Sequence, residues 1–128
     1  MPATSPVPEI IVRVPASAEH VHIVRGVVAA VAARAGASVD DVADLRLIVD
    51  EAAARLLSST SGASSLTVSL ARRGGDLEVT ASVDGAPVER SGSALGWRIL
   101  SSLADEVEEQ GDGSSTWIRV VRSLGAPT

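Results

Sequence analysis

The sequence predicts an α+β fold: a two-layer sandwich whose mostly antiparallel, mixed sheet is covered on one face by three helices. Three observations point there. Apolar periodicity runs strand, helix, helix, hairpin, helix, strand along the 128 residues. All three helices carry wide apolar faces, as a layer covering a sheet needs. The length suits one domain, 1–128, able to bury a core without disulfides. The tails, 1–8 and 125–128, are rich in Pro, Ser, Thr and Gly and are expected to be flexible.

Each element follows from its residues. "EIIVRVP" is β-branched and loosely alternating, which predicts a strand from about Glu9 to Val14. Ser17 reads as an N-cap with Glu19 in the first turn. Val21, Val24, Val28 and Val31 then recur at helical spacing up to a stop at Gly36. Ile23, Val27 and Ala30 give this helix a second apolar stripe. Ser38 and Asp41 have capping-box spacing and open a second helix to about Leu57. "SSTSGASS" follows as a polar loop, then "SLTVSLARR" and "DLEVTASVD" alternate with period two around Gly74-Gly75, a hairpin. After "GAPVERSGS", "ALGWRILSSLADEV" predicts a third helix with Leu95, Ile99, Leu103 and Val107 along one face. "EEQGDGSS" reads as a connection and "TWIRVVRSL" as the last strand.

Composition excludes several chemistries. With no Phe, no Tyr and only two Trp, the core is built from Val, Leu, Ile and Ala, with Trp97 and Trp117 as packing residues. The absence of Cys excludes disulfides, thiolate nucleophiles and zinc–thiolate sites. All 11 basic residues are Arg, so there is no Schiff-base or P-loop lysine. A net charge of −5 argues against a nucleic-acid surface. "MPATSPVPE" lacks a signal peptide's basic and apolar regions, and no run of about 18 apolar residues is present, so a cytoplasmic protein without a membrane segment is expected. His20 and His22 have no ligand-type neighbour in sequence and read as surface residues.

The stretch "DLRLIVDEAAARLL", residues 44–57, carries the chemical question. On a wheel of about 100° per residue, Val42, Leu45, Val49, Ala52 and Leu56 form the core face, while Ala43, Leu47 and Ala54 lie opposite. Asp44, Glu51 and Arg55 cluster at the flank of the core face. Glu51 and Arg55 stand at i,i+4, the favourable order for a helical ion pair. This flank is either an ordinary solvated edge or a site. Asp84-Gly85 is likewise either a plain turn or part of that site.

Taken in order, four segments resemble the GHKL ATPase (Bergerat-type) fold, and within it the RsbW/SpoIIAB-type anti-sigma factors that double as serine-protein kinases. "ADLRLIVDEAAARL" resembles that family's N-box, "VDGAPV" its Asp-x-Gly box, "ALGWRILSSLADEVE" its Gly-x-Gly box and following helix, and "STWIRVV" its last strand. The similarity spans about residues 9 to 124 and is nearest the actinobacterial UsfX-like branch. It implies Glu51 as the base position, with Arg55, Asp84, Gly85, Leu95, Gly96 and Thr116 facing ATP or ADP, and Arg25 facing a protein partner.

The departures from the family pattern are informative. Arg55 stands where the family has the Asn that helps hold Mg²⁺, and a guanidinium has no acceptor with which to ligate a cation. Arg55 could instead meet a phosphate or pair with Glu51. Ala94 replaces the first glycine of the Gly-x-Gly box. The resemblance therefore implies weak nucleotide binding, no metal ligands and little kinase activity. It implies an anti-sigma factor, as a homodimer, that binds a sigma factor and is released by a STAS-type anti-anti-sigma protein. The alternative is an active ATP-dependent serine kinase acting on that antagonist. Acidic charge suits a basic partner such as a sigma factor.

Overall fold

The computed structural model describes residues 9–87 and 94–124; the tails and most of the "GAPVERSGS" connection lie outside the described residues. Strand β1, Glu9–Pro15, leads through a 3-10 turn, Ala18–His20, into α1, Val21–Arg34, and then α2, Val39–Ser58. A short strand β2, Thr60–Ser61, precedes the hairpin of β3, Ser65–Arg73, and β4, Asp76–Asp84. Next come the short β5, Ala86–Pro87, α3, Ala94–Leu103, β6, Glu106–Gly111, and β7, Ser115–Ser123. The main sheet has the order β1-β3-β4-β7-β6, and β2 pairs separately with β5. Every described pairing is antiparallel, so the expected mixed character is absent among the described residues.

Alternation decides the layers. Leu66, Val68 and Leu70 on β3, Leu77, Val79 and Val83 on β4, and Ile118 and Val120 on β7 all point to one face and are buried there. The helices cover that face, with α2 between α1 and α3. Leu45, Ile48, Val49, Ala52, Ala53 and Leu56 form the buried stripe of α2, while Ala43, Leu47 and Ala54 are exposed as expected. The other sheet face carries Thr67, Ser69, Thr80, Ser82 and Arg119 and has no helix over it. Trp117 alternates onto this polar face and lies outside the core cluster, which corrects its reading as a core residue.

Local chemistry fixes the boundaries. The capping box at α2 is complete: Asp41 N–H donates to Ser38 Oγ at 3.0 Å, and Ser38 N–H donates to Asp41 Oδ2 at 3.2 Å. Gly36 takes φ +87 just after α1, where the Ala37 N–H returns to the Ala32 carbonyl at 3.0 Å. Ser17 caps differently from expectation. Its hydroxyl lies 2.6 Å from His20 Nδ1 and not on a backbone N–H, and the first turn is 3-10.

The third helix is shorter than predicted and rotated. It ends at Leu103, and "EVEEQG" is the edge strand β6, not helix and connection. The backbone leaves the helix because Asp105 N–H donates to the Val121 carbonyl at 2.8 Å, while Asp105 Oδ2 accepts the Ser123 N–H at 2.6 Å. Once in the ladder, Val107, Glu109 and Gly111 turn toward the helices. Leu100 is the buried residue of α3, supported by Trp97, Leu103 and Ala104, whereas Leu95 is exposed. The expected Leu95–Ile99 face instead lines an open groove of about 410 Å³ with Leu47 and Arg98.

Candidate functional site

The questioned flank of α2 faces α3 and β6. Glu51 is half-buried one turn before Arg55, and a Cβ added at Gly96 would lie 3.1 Å from Glu51 Oε2. Gly96 thus lets the first turn of α3 close onto the carboxylate. Among the described residues, that carboxylate makes no ion pair, and Arg55 is not its partner.

Arg55 is held elsewhere. Its Nε donates to Glu109 Oε2 at 3.0 Å and its Nη2 to Oε1 at 3.5 Å. The guanidinium carbon sits 5.0 Å from the Trp97 ring centroid, within cation–π range. The two side chains are only 12% and 5% exposed, so this is a buried pair. These residues and Glu108 line a pocket of about 390 Å³. Of the residues singled out in the sequence, Arg55 alone is among its described lining.

Asp84 closes β4 and is committed locally. Its Oδ1 accepts the Ser65 N–H at 2.8 Å and the Ser64 N–H at 3.0 Å, and the Ser64 hydroxyl donates to Oδ2. That hydroxyl and then the backbone donors hold its carboxyl well below the usual carboxylate range. Gly85 has the tightest surroundings of the described glycines: an added Cβ would lie 3.0 Å from the Ser61 carbonyl oxygen. Thr116 pairs with Gly111 across β6–β7 and is buried. Its hydroxyl has no hydrogen-bond partner among the described residues. Leu95 points into the α2–α3 groove. Arg25 Nε lies 3.2 Å from Asp50 Oδ1, tying α1 to α2 at a half-exposed position.

Among the described residues these side chains fall into local groups. Glu51 meets Gly96, Arg55 meets Trp97 and Glu109, and Thr116 lies under β6. Asp84 is engaged with Ser64 and Ser65. Sequence reading missed Glu109, because the residues of β6 read as the end of the third helix and a connection, and with Val107 as its one apolar residue the segment carries no period-two signal. It also missed Arg122. That residue donates to Asp41 Oδ1 at 3.0 Å, Asp44 Oδ2 at 2.8 Å and the Leu103 carbonyl at 2.5 Å. The hydrogen bond from the Arg122 guanidinium holds the Asp41 carboxyl below its usual range, and the same guanidinium explains Asp44 as structural.

A magnesium ion does not fit this arrangement. Arg55 brings a permanent positive charge and no acceptor one helical turn after Glu51, and no cluster of three or more His, Asp or Glu among the described residues could hold a metal. The side chains that the resemblance assigns to adenine and phosphate also hold partners among the described residues: the serines on Asp84 and Glu109 on Arg55.

The histidine kinase-like ATPase domain family matches residues 14–122. The chain belongs to that family. Two curated relatives, both anti-sigma-F factor RsbW from Mycobacterium tuberculosis (strains CDC 1551 / Oshkosh and ATCC 25618 / H37Rv), are 34% identical over 102 residues. The aligned region is 78% of this chain, which spans about 60% of those relatives' length. The crystal structure of the RsbU and RsbW domains of a Mycobacterium tuberculosis protein superposes with a TM-score of 0.77. It covers 95% of this chain and 34% of that one at 17% identity, a likeness of fold. Within the histidine kinase-like family, then, the similarity runs to RsbW anti-sigma factors.

Proposed function

We propose that this domain is a cytoplasmic anti-sigma factor of RsbW type. It sequesters a sigma factor as a homodimer and is released by a STAS-type anti-anti-sigma protein. Phosphoryl transfer is not its working step. The similarity to RsbW supports the class. The observation that carries the reading against phosphoryl transfer is the Arg55–Glu109 pair over Trp97. A guanidinium whose donors are spent on a buried carboxylate neither ligates Mg²⁺ nor receives a phosphate without first losing that partner. Without a metal, phosphoryl transfer lacks its main charge stabilisation.

Calorimetry with ATP and ADP, with and without Mg²⁺, tests the pocket. Weak binding that Mg²⁺ barely changes is expected. Co-purification of a sigma factor, displaced by a STAS protein, tests the partner assignment. The second reading, an active serine kinase, draws on Glu51, which keeps its place beside Gly96 and stays clear of Arg55. Transfer of labelled phosphate from ATP to a serine of the STAS antagonist, lost in Glu51→Gln, would move that reading to first place.

A further inference from the structure

Two clefts flank α2, and they differ in charge. On the α1 side, Ala18, Val21, Ala54 and Leu57 line a cleft of about 170 Å³ beside Asp50. The charge there is answered, because Arg25 Nε lies 3.2 Å from Asp50 Oδ1. On the α3 side, Leu47, Leu95, Ile99 and Leu103 line the open groove of about 410 Å³, together with Arg98 and Ser102. Arg98 is the one charged residue of that described lining, it is exposed, and it makes no ion pair among the described residues. Asp44, one turn before Leu47, is already paired with Arg122.

The apolar wall of the groove has helical spacing. Leu95, Ile99 and Leu103 recur every four residues, a ridge about 12 Å long at about 1.5 Å per residue. Such a ridge packs into the grooves of another helix. α3 buries Leu100 instead, so much of this stripe stays at the surface: Leu95 is 63% exposed, and Leu47 across the groove is 40% exposed. The chemistry of a fitting cover follows. An amphipathic helix offers apolar side chains at the same spacing, and the unanswered guanidinium at the rim selects a carboxylate beside them. The sigma factor of the proposed function is a basic partner, with the wrong sign of charge for this rim.

We infer that the α2–α3 groove is a second docking surface, which takes an amphipathic helix of a partner protein with an acidic side chain set against Arg98. The groove lies across α2 from Arg25, and its partner is distinct from the sigma factor. Apolar anchors on Leu47, Leu95 and Ile99 supply the affinity, and the single charged contact sets which helix is accepted and in which register. The inference rests on the groove and stands apart from the anti-sigma reading.

Two synthetic helical peptides test it, both with leucine at every fourth position and differing only in glutamates or lysines beside that stripe. Fluorescence anisotropy with the full chain should show the glutamate peptide binding about tenfold or more tightly than the lysine peptide. Arg98→Glu should reverse that order. Leu47→Asp should weaken the glutamate peptide about tenfold or more, by placing a charge among the apolar anchors. Both positions are exposed, and thermal unfolding checks that each variant remains folded. Capture of a sigma factor should be unchanged in both variants and weakened by Arg25→Glu, so the groove and the proposed function fail separately. No binding of either peptide, or equal binding of both, overturns the inference. So does loss of sigma capture in Arg98→Glu, which would give the groove to the sigma factor. Self-association that Leu47→Asp abolishes would give it to a second copy, and overturns the inference likewise.

Discussion

Two arginines join α2 to the β6–β7 side of the molecule, and they do so in different company. At the start of α2, Arg122 receives two carboxylates, Asp41 and Asp44, and the carbonyl of Leu103 that closes α3. At its end, Arg55 receives one carboxylate, Glu109, and a ring, Trp97. Arg122 works at a helix start, where carboxylates also complement the helix dipole. Arg55 works at the flank that the proposed reading takes for a worn nucleotide site. The same guanidinium chemistry clamps a helix start in one place and a buried helix flank in the other. The contrast shows that a charged residue mid-helix is understood only once its cross-layer partner is known.

The sharpest way to break the comparison is Arg122→Ala. It removes the guanidinium from Asp44, from Asp41 Oδ1 and from a helix-terminal carbonyl, and should cost about 2–4 kcal/mol of stability in urea unfolding. A loss under about 1 kcal/mol would show that the carboxylates are already well solvated.

Arg55→Ala is next. It strands the Glu109 carboxylate in a buried position and should cost about 2–3 kcal/mol. Arg55→Leu together with Glu109→Leu should recover most of that loss, because the pair's own desolvation disappears with it. If the double variant is as unstable as the single one, the pair is stabilising in its own right.

Acid titration sharpens the contrast further. Asp41, Asp84 and Asp112 all have carboxyl pKa values lowered from 3.8. A depressed folded-state value means that the stability is fully present above the unfolded value and drains away as pH falls through the folded one. Denaturant midpoints should therefore hold down to about pH 4 and drop below it. Asp41→Asn should cost about 1 kcal/mol near neutral pH, because it weakens both the capping box and the Arg122 clamp. It should also flatten the acid limb, as should Asp84→Asn by removing the acceptor for Ser64 and Ser65. An unchanged limb in both variants would place the acid sensitivity elsewhere.

The smallest stability effect should come from Arg25→Glu. Its ion pair with Asp50 is about one-third exposed on both sides and should contribute less than about 1 kcal/mol. Its expected consequence is weaker capture of the sigma factor in pull-down assays, with the fold intact. A large stability loss would move Arg25 from partner surface to clamp, alongside Arg122.

Much of this was legible in the chain itself. The capping box at Ser38, the stop at Gly36, the Gly74-Gly75 hairpin and the core stripe of α2 depend on spacing within one or two turns of chain. So did the overall α+β class, since a strongly apolar helix layer needs a sheet to cover. The boxes that resemble the ATPase pattern also lie in the sequence, and with them the oddity of Arg55. The strand β6 did not stand out, because an edge strand with a single apolar residue gives little periodicity to read.

What tertiary structure alone decided was which distant groups meet. Glu109 is 54 residues from Arg55, and the sequence offered Glu51, at i,i+4, as the nearer partner. The nearer pair is worth little on a solvated helix, whereas a buried guanidinium must have its charge answered where it lies, and β6 brings the only carboxylate in the described structure that does so. Asp44 was likewise claimed by Arg122, 78 residues away. Local spacing fixed the elements because their hydrogen bonds close within a few residues. The pairing of charges waited on the layers, because burial is a property of the packed fold.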